Sequence, residues 1–129
     1  MSMRLELVPL SVSDVDRSIS FYRDVVGFVL DHDVSPGNGM RVVQLTPPGS
    51  SCSIAFGVGM GAGAPVSNLH LVVDDLESVR ARLMANGLDV SPVQDMGGGV
   101  HYAFFADPDG NSWALQEIRA GAALPDPAS

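Results

Sequence analysis

Three ionisable side chains in the second half of the chain have the residue types that catalysis and metal binding require. Glu117 lies near the end of one apolar stretch, and His70 and His101 each lie within another. A carboxylate and an imidazole in an apolar cleft can transfer protons, because burial raises the pKa of a glutamate toward the working range of general acid–base chemistry. We therefore name Glu117 and His70 as candidate catalytic residues. Two imidazoles and one carboxylate can also bind a divalent metal, and His101 would supply the third donor.

Each of these residues also has a purely structural interpretation. His70 can be a hydrogen-bonded histidine in a cavity wall, and His101 can be a strand-end residue beside the glycine-rich turn. Glu117 can be a buried carboxylate that simply bonds to His70 or Asn68, because a buried charge needs a partner. His32, which lies between two aspartates, is expected to be solvated.

An internal repeat, offset by 61 residues, supplies the elements that would position these side chains. The segment LVPLSVSDVDRS (7–18) matches NLHLVVDDLESV (68–79), and TPPGSSCSIAF (46–56) matches DPDGNSWALQE (107–117). Each copy begins with an alternating apolar stretch typical of a strand, followed by a helix start of the capping-box kind. Three short strand candidates follow each helix, so the order βαβββ is predicted twice.

The boundaries of these elements follow from turn and capping residues. The predicted helices end at Gly27 and Gly87. The predicted capping pairs are Ser13 with Asp16 and Asp74 with Glu77. The strands predicted after the helices cover residues 29–34, 41–45, 52–57, 89–93, 101–105 and 112–118. We expect one domain over residues 1–119, with module one at 4–57, a glycine-rich hinge at 57–67, module two at 67–118, and a disordered tail at 120–129.

Composition disfavours several classes of function. The chain has 129 residues, of which 46% are hydrophobic and 17% charged, as in an ordinary soluble domain. A net charge of −8 disfavours nucleic acid and anionic membranes as partners. No apolar run approaches the roughly 18 residues that a membrane span needs. The single cysteine, Cys52, fits a reducing compartment, so a cytoplasmic location is predicted.

Two motifs carry a resemblance to a known superfamily. SVSDVDRSISFYRDVVGF early and DPDGNSWALQE late, in that order and within an internal repeat, resemble the vicinal oxygen chelate superfamily. That group includes glyoxalase I, extradiol dioxygenases and the bleomycin-binding proteins, and the resemblance covers about residues 4–118. It implies an α+β fold in which tandem βαβββ modules form a curled mixed sheet around a ligand cavity. It also implies a homodimer.

The resemblance also implies where a metal would bind. In the metal-dependent members the ligands lie on the first and last strand of each module, and the corresponding positions here are Leu7, Phe56, Asn68 and Glu117. Only Glu117 is a strong donor, whereas a catalytic ion needs about three. The usual metal centre is therefore predicted to be missing, and no cofactor is expected. A register shifted by two residues would bring in His70, and with His101 a non-standard metal site stays open as an alternative.

Alternation along the last strands predicts the walls of the cavity. Phe56 and Trp113 would offer flat apolar surface to a ligand, and Leu7, Asn68 and His101 are further candidate ligand contacts.

Two main functions follow, and a third possibility is a scaffold whose dimer surface is the functional part and whose cavity is inert. The first is a metal-independent protein of the bleomycin-resistance type that binds a small apolar or aromatic molecule. The alternative is a glyoxalase-like lyase or isomerase that uses Glu117 with His70, either as an acid–base pair or in a non-standard metal site. The sequence does not decide between the binding protein and the enzyme.

Overall fold

The computed structural model describes residues 1–58 and 63–119, which form two compact units. Unit 1 comprises Met1–Val66 together with the turn Asp107–Asn111, and unit 2 comprises Ser67–Ala106 together with Ser112–Ser129. The predicted hinge lies partly outside the described residues, and the predicted tail at 120–129 lies wholly outside them. No helix among the described residues is long and apolar enough to cross a bilayer.

Unit 1 folds in the predicted order βαβββ. Its elements are β1 (Leu7–Pro9), α1 (Val15–Ile19), a π-helical segment that continues α1 (Ser20–Val26), β2 (Val29–Gly37), β3 (Met40–Thr46) and β4 (Ser53–Val58). The strands lie in the order β1-β4-β3-β2, with β1 parallel to β4 and the other neighbours antiparallel. The helical stretch ends at Gly27, whose φ of 98° lies in the left-handed region that glycine adopts without a Cβ clash.

Unit 2 repeats this topology. Its elements are β5 (Leu69–Val72), α2 (Leu76–Ala85), β6 (Gln94–Asp95), β7 (Val100–Ala106) and β8 (Ser112–Ile118). The strands lie in the order β5-β8-β7-β6, and β5 is parallel to β8. The predicted α+β class with tandem βαβββ modules and mixed sheets is confirmed, and neither sheet closes on itself.

One predicted strand is not formed. Residues 89–93 are not a strand, and β6 comprises only Gln94–Asp95. Pro92 interrupts the predicted strand, because proline has no N–H to donate to a neighbouring strand. The backbone N–H of Ser91 still donates to the carbonyl of Phe104, at 2.9 Å.

Both helix caps lie one residue later than predicted. The Asp14 carboxylate accepts a hydrogen bond from the backbone N–H of Arg17 at 3.1 Å, and Asp75 accepts one from Ser78 at 3.1 Å. The serine and aspartate that precede them are not the capping residues. The aspartates satisfy N–H groups that have no partner within the helix.

One face of each sheet packs against the helix of its own unit. In unit 1, Phe56 and its cross-strand partner Val43 are fully buried, and the Phe56 ring lies 6.0 Å from that of Tyr22 in the helical stretch. In unit 2, Leu115 is buried together with Leu76 of α2. These faces form the cores of the two units.

Candidate functional site

The Glu117 carboxylate is hydrogen-bonded to the backbone at the start of α2. Its Oε1 accepts a hydrogen bond from the backbone N–H of Leu76 at 3.1 Å, and its Oε2 accepts one from Nε of Arg119 at 2.8 Å. The Arg119 guanidinium, followed by the Leu76 N–H, lowers the pKa of Glu117 below its ordinary value despite burial. Burial does raise the pKa, as predicted, but these two donors outweigh it, so the prediction that the pKa of Glu117 lies above its ordinary value is wrong. Glu117 is an ionised carboxylate at the positive end of a helix, where negative charge is stabilised.

Glu117 and His70 lie on opposite faces of the same sheet. In the parallel register of β5 and β8, His70 is opposite Ala114 and Leu71 is opposite Leu115. Because side chains alternate along a strand, Glu117 shares the face of Leu115, which packs on the helix, whereas His70 shares the face of Ala114. The proton-transfer pair of Glu117 with His70 is therefore not formed.

Among the described residues, the hydrogen bonds of Glu117 come from Leu76 and Arg119, and none joins Glu117 to Asn68. The Asn68 backbone N–H instead donates to Oγ of Ser112 at 2.8 Å.

The four positions that the resemblance assigned to metal ligands do not fit a metal centre. In the register of β1 and β4, Leu7 is opposite Ser53, so Leu7 and Phe56 lie on opposite faces of the sheet. Neither side chain has an atom that can coordinate a metal. The Glu117 carboxylate is committed to an ion pair. In the part of the chain that the structure describes, no three side chains of His, Cys, Asp or Glu form a group that could hold a metal ion. His70, His101 and Glu117 likewise do not come together as a non-standard metal site. The absence of a cofactor stays a prediction.

The aromatic residues predicted as cavity walls lie in the cores of their units. Phe56 packs against Tyr22, and Trp113 stacks on Phe105 with ring centroids 6.1 Å apart. His101 is buried on the same face as Glu117, its direct cross-strand neighbour, and its Nε2 lies 3.7 Å from Asp95. Alternation showed which residues share a face, but it could not show which face the helix would cover.

The opposite face of the unit 2 sheet carries a row of rings and polar groups that α2 does not cover. We call this the open face, formed by His70, Val72, Tyr102, Phe104 and Gln116. Tyr102 and Phe104 are half-buried and stacked, with centroids 5.9 Å apart and planes 11° apart. The His70 ring meets Tyr102 edge-on at 5.6 Å, and Nε2 of Gln116 donates to the Tyr102 hydroxyl at 3.0 Å.

Sequence reasoning missed four members of this face, namely Val72, Tyr102, Phe104 and Gln116. The signal was present in the segment VHYAFFA, where Tyr102 and Phe104 alternate with small or buried residues. Assigning Glu117 to the helix side would have placed these rings on the opposite side of the sheet.

The DPDGN turn forms a buried hydrogen-bonding centre within unit 1. The Tyr22 hydroxyl donates to Oδ2 of Asp107 at 2.7 Å, and Oδ1 of Asp107 accepts from the backbone N–H groups of Asp109 and Asn111, both at 2.9 Å. The Asn111 amide donates to Asp107 at 2.8 Å and to the Ser11 carbonyl at 3.1 Å. These polar groups satisfy one another, which indicates a role in folding.

Comparison with known proteins agrees with the fold and with the two motifs. The sequence profile of the Glyoxalase/Bleomycin resistance protein/Dioxygenase superfamily matches residues 4–115. The chain belongs to this family, and the predicted resemblance is confirmed.

Solved structures include close matches. TnmS3, an antibiotic binding protein from Streptomyces sp. CB03234, has a TM-score of 0.79 and 30% identity, over 92% of this chain and 98% of that chain. A glyoxalase/bleomycin resistance protein from the same organism has a TM-score of 0.73 and 32% identity, over 87% of this chain and 98% of that one. A superfamily member from Sphaerobacter thermophilus DSM 20745 has a TM-score of 0.78 and 26% identity, over 90% and 98%. No curated protein matches the chain.

Proposed function

We propose that this protein binds a small planar aromatic molecule on the open face of unit 2. The observation that carries the proposal is the stacked pair of Tyr102 and Phe104 on a sheet face that α2 leaves uncovered. The uncovered side of such a sheet is ordinarily polar, so partly exposed rings there indicate a surface that contacts something. Aromatic rings bind flat ligands by stacking and by burial of apolar area.

The polar groups of the open face suit recognition of a neutral or cationic ligand. His70 and Gln116 border the rings, and none of the five residues of this face is acidic or a permanent cation. One structural relative with 30% identity is described as an antibiotic binding protein, which supports binding of an organic compound by this fold. The overall charge of −8 is compatible with a cationic aromatic compound.

Binding fits the structure better than the lyase or isomerase alternative. The candidate catalytic carboxylate, Glu117, lies on the helix side of the sheet and is held ionised by Arg119. An enzyme of the alternative type would need a base beside the ligand, and Glu117 does not lie on the face that carries the rings.

The test is calorimetric titration of the protein with planar aromatic antibiotics and dyes, comparing wild type with Phe104→Leu. Leucine keeps apolar bulk but loses the ring, so we expect affinity about 5- to 10-fold weaker, which corresponds to about 1 kcal/mol of aromatic contact. Val58→Ala, at an exposed apolar position of the unit 1 sheet, is the control and should bind like wild type.

Two results would contradict the proposal. One is the absence of saturable binding by any compound of the panel, and the other is equal weakening by both variants. Mass spectrometry of the titrated compounds distinguishes the alternative, because a lyase or isomerase would convert a compound that a binding protein leaves intact.

A further inference from the structure

The hydrogen-bonding role of His70 is fixed by its neighbour in the chain. Its Nδ1 lies 2.7 Å from the backbone carbonyl oxygen of Asn68. A carbonyl oxygen can only accept, so Nδ1 carries the hydrogen. In the neutral imidazole the other nitrogen, Nε2, is then an acceptor.

The carbonyl that sets this tautomer is itself held in place. Asn68 has a φ of 59°, in the left-handed region, and its N–H donates to Oγ of Ser112 at the start of β8. Asparagine is one of the few residues besides glycine that tolerate this conformation. The Asn68 carbonyl is therefore fixed relative to the sheet, and so is the direction in which the His70 ring presents Nε2.

The second polar group of the open face has a defined direction as well. Nε2 of Gln116 donates to the Tyr102 hydroxyl oxygen, so the amide oxygen of Gln116 is left as an acceptor. Two acceptors, Nε2 of His70 and Oε1 of Gln116, thus belong to the sheet face that carries the rings of Tyr102 and Phe104. A ligand that stacks on these rings and donates no hydrogen bond would remove water from the acceptors without replacing it, which is unfavourable.

We infer that the open face selects aromatic ligands that carry a phenolic hydroxyl, with Nε2 of His70 accepting its hydrogen. This inference rests on the proposed function, since it requires that the ligand ring stack on the open face. His70 is then a specificity-determining residue. The rings supply apolar contact to any flat compound, and the imidazole favours those compounds that carry a hydrogen-bond donor. Sites that hydrogen-bond a hydroxyl reject analogues lacking it, because their buried polar group is left unpaired.

A matched pair of probes isolates this contribution. 2-Naphthol and 2-methoxynaphthalene share the fused ring, and the ether has a methyl group where the phenol has a donor hydrogen. In calorimetric titrations at about pH 8, we expect wild type to bind the phenol about 10-fold more tightly than the ether.

Two variants of His70 and one control variant assign the effect to the imidazole. His70→Phe keeps a ring but removes the acceptor, so the phenol-to-ether ratio should fall to about one. His70→Gln, whose amide oxygen can still accept, should retain part of the ratio. Met84→Ala, at an exposed position of α2, is the control and should keep the wild-type ratio.

The outcomes separate the inference from the proposed function. A ratio near one in wild type, or a wild-type ratio in His70→Phe, overturns the inference and leaves aromatic binding in place. If neither probe gives saturable binding, both the inference and the proposed function are overturned. Thermal unfolding of each variant confirms that the chains compared are folded.

Discussion

The Glu117 carboxylate illustrates how the surroundings of a single residue decide its chemistry. Burial alone would favour its neutral form, but the Arg119 side chain and the Leu76 N–H both favour its ionised form. The arginine was visible in the sequence, because a residue two positions along a strand points to the same side. The Leu76 N–H was not, since nothing in the sequence showed that β8 passes beneath the start of α2.

We predict a pH-dependent contribution of Glu117 to stability. Because its pKa is lowered on folding, the unfolded chain takes up the proton first as the pH falls. The stabilisation is present above the ordinary pKa of a glutamate and is lost as the pH falls toward the lower folded value. Glu117→Gln should lower the free energy of unfolding by about 1 kcal/mol at neutral pH, and by less in acid.

Urea unfolding of wild type and Glu117→Gln near pH 7 and near pH 3 measures this difference. Glu6→Gln, at an exposed position before β1, is the matched control for loss of one acidic side chain. A stability difference between wild type and Glu117→Gln that is the same at both pH values would contradict the assignment.

At the scale of helices and strands, local patterns predicted most of the fold. Apolar alternation and the repeated turns located seven of the eight strands approximately, and Gly27 and Gly87 marked the ends of both helical stretches. The exception, residues 89–93, was apolar enough for a strand but contains Pro92. The side of each sheet that the helix covers could not be predicted, because that depends on contacts between elements. This is why Phe56 and Trp113 were assigned to a ligand site and are found in cores.

The end of α2 provides a test at this scale. Gly87 has a φ of 91°, and a Cβ added there would meet no atom within 4 Å. The cost of a side chain is therefore that of the left-handed backbone alone, so Gly87→Ala should lower the free energy of unfolding by about 1 kcal/mol. Gly87→Asn should cost less, since asparagine tolerates this region. Urea unfolding of both variants measures the two values, and equal stability of alanine, asparagine and wild type would argue against a strained alanine.

For the whole molecule, the homodimer implied by the family resemblance stays a prediction. Strand β2 lies at the end of the unit 1 strand order and is exposed along most of its nine residues, including Val29 and Val34. Edge strands of this kind can pair with another chain.

Light scattering coupled to size exclusion should therefore give a mass of about twice the 13.5 kDa of one chain. Dilution should leave this mass unchanged down to the dissociation constant of the dimer. A mass of one chain at every concentration would contradict the prediction. The cytoplasmic location remains an expectation from the single cysteine.

The DPDGN turn has a consequence for how such a protein could have arisen by gene duplication. A half-gene ending at residue 66 would encode every strand of unit 1, yet it would lack the carboxylate to which Tyr22 donates and the amide that holds Ser11. The first copy thus depends on five residues that the ribosome adds only after most of the second copy. In an ancestral single copy, the turn would have had to come from a second molecule of the same chain, or the Tyr22 hydroxyl would have needed a different hydrogen-bond acceptor.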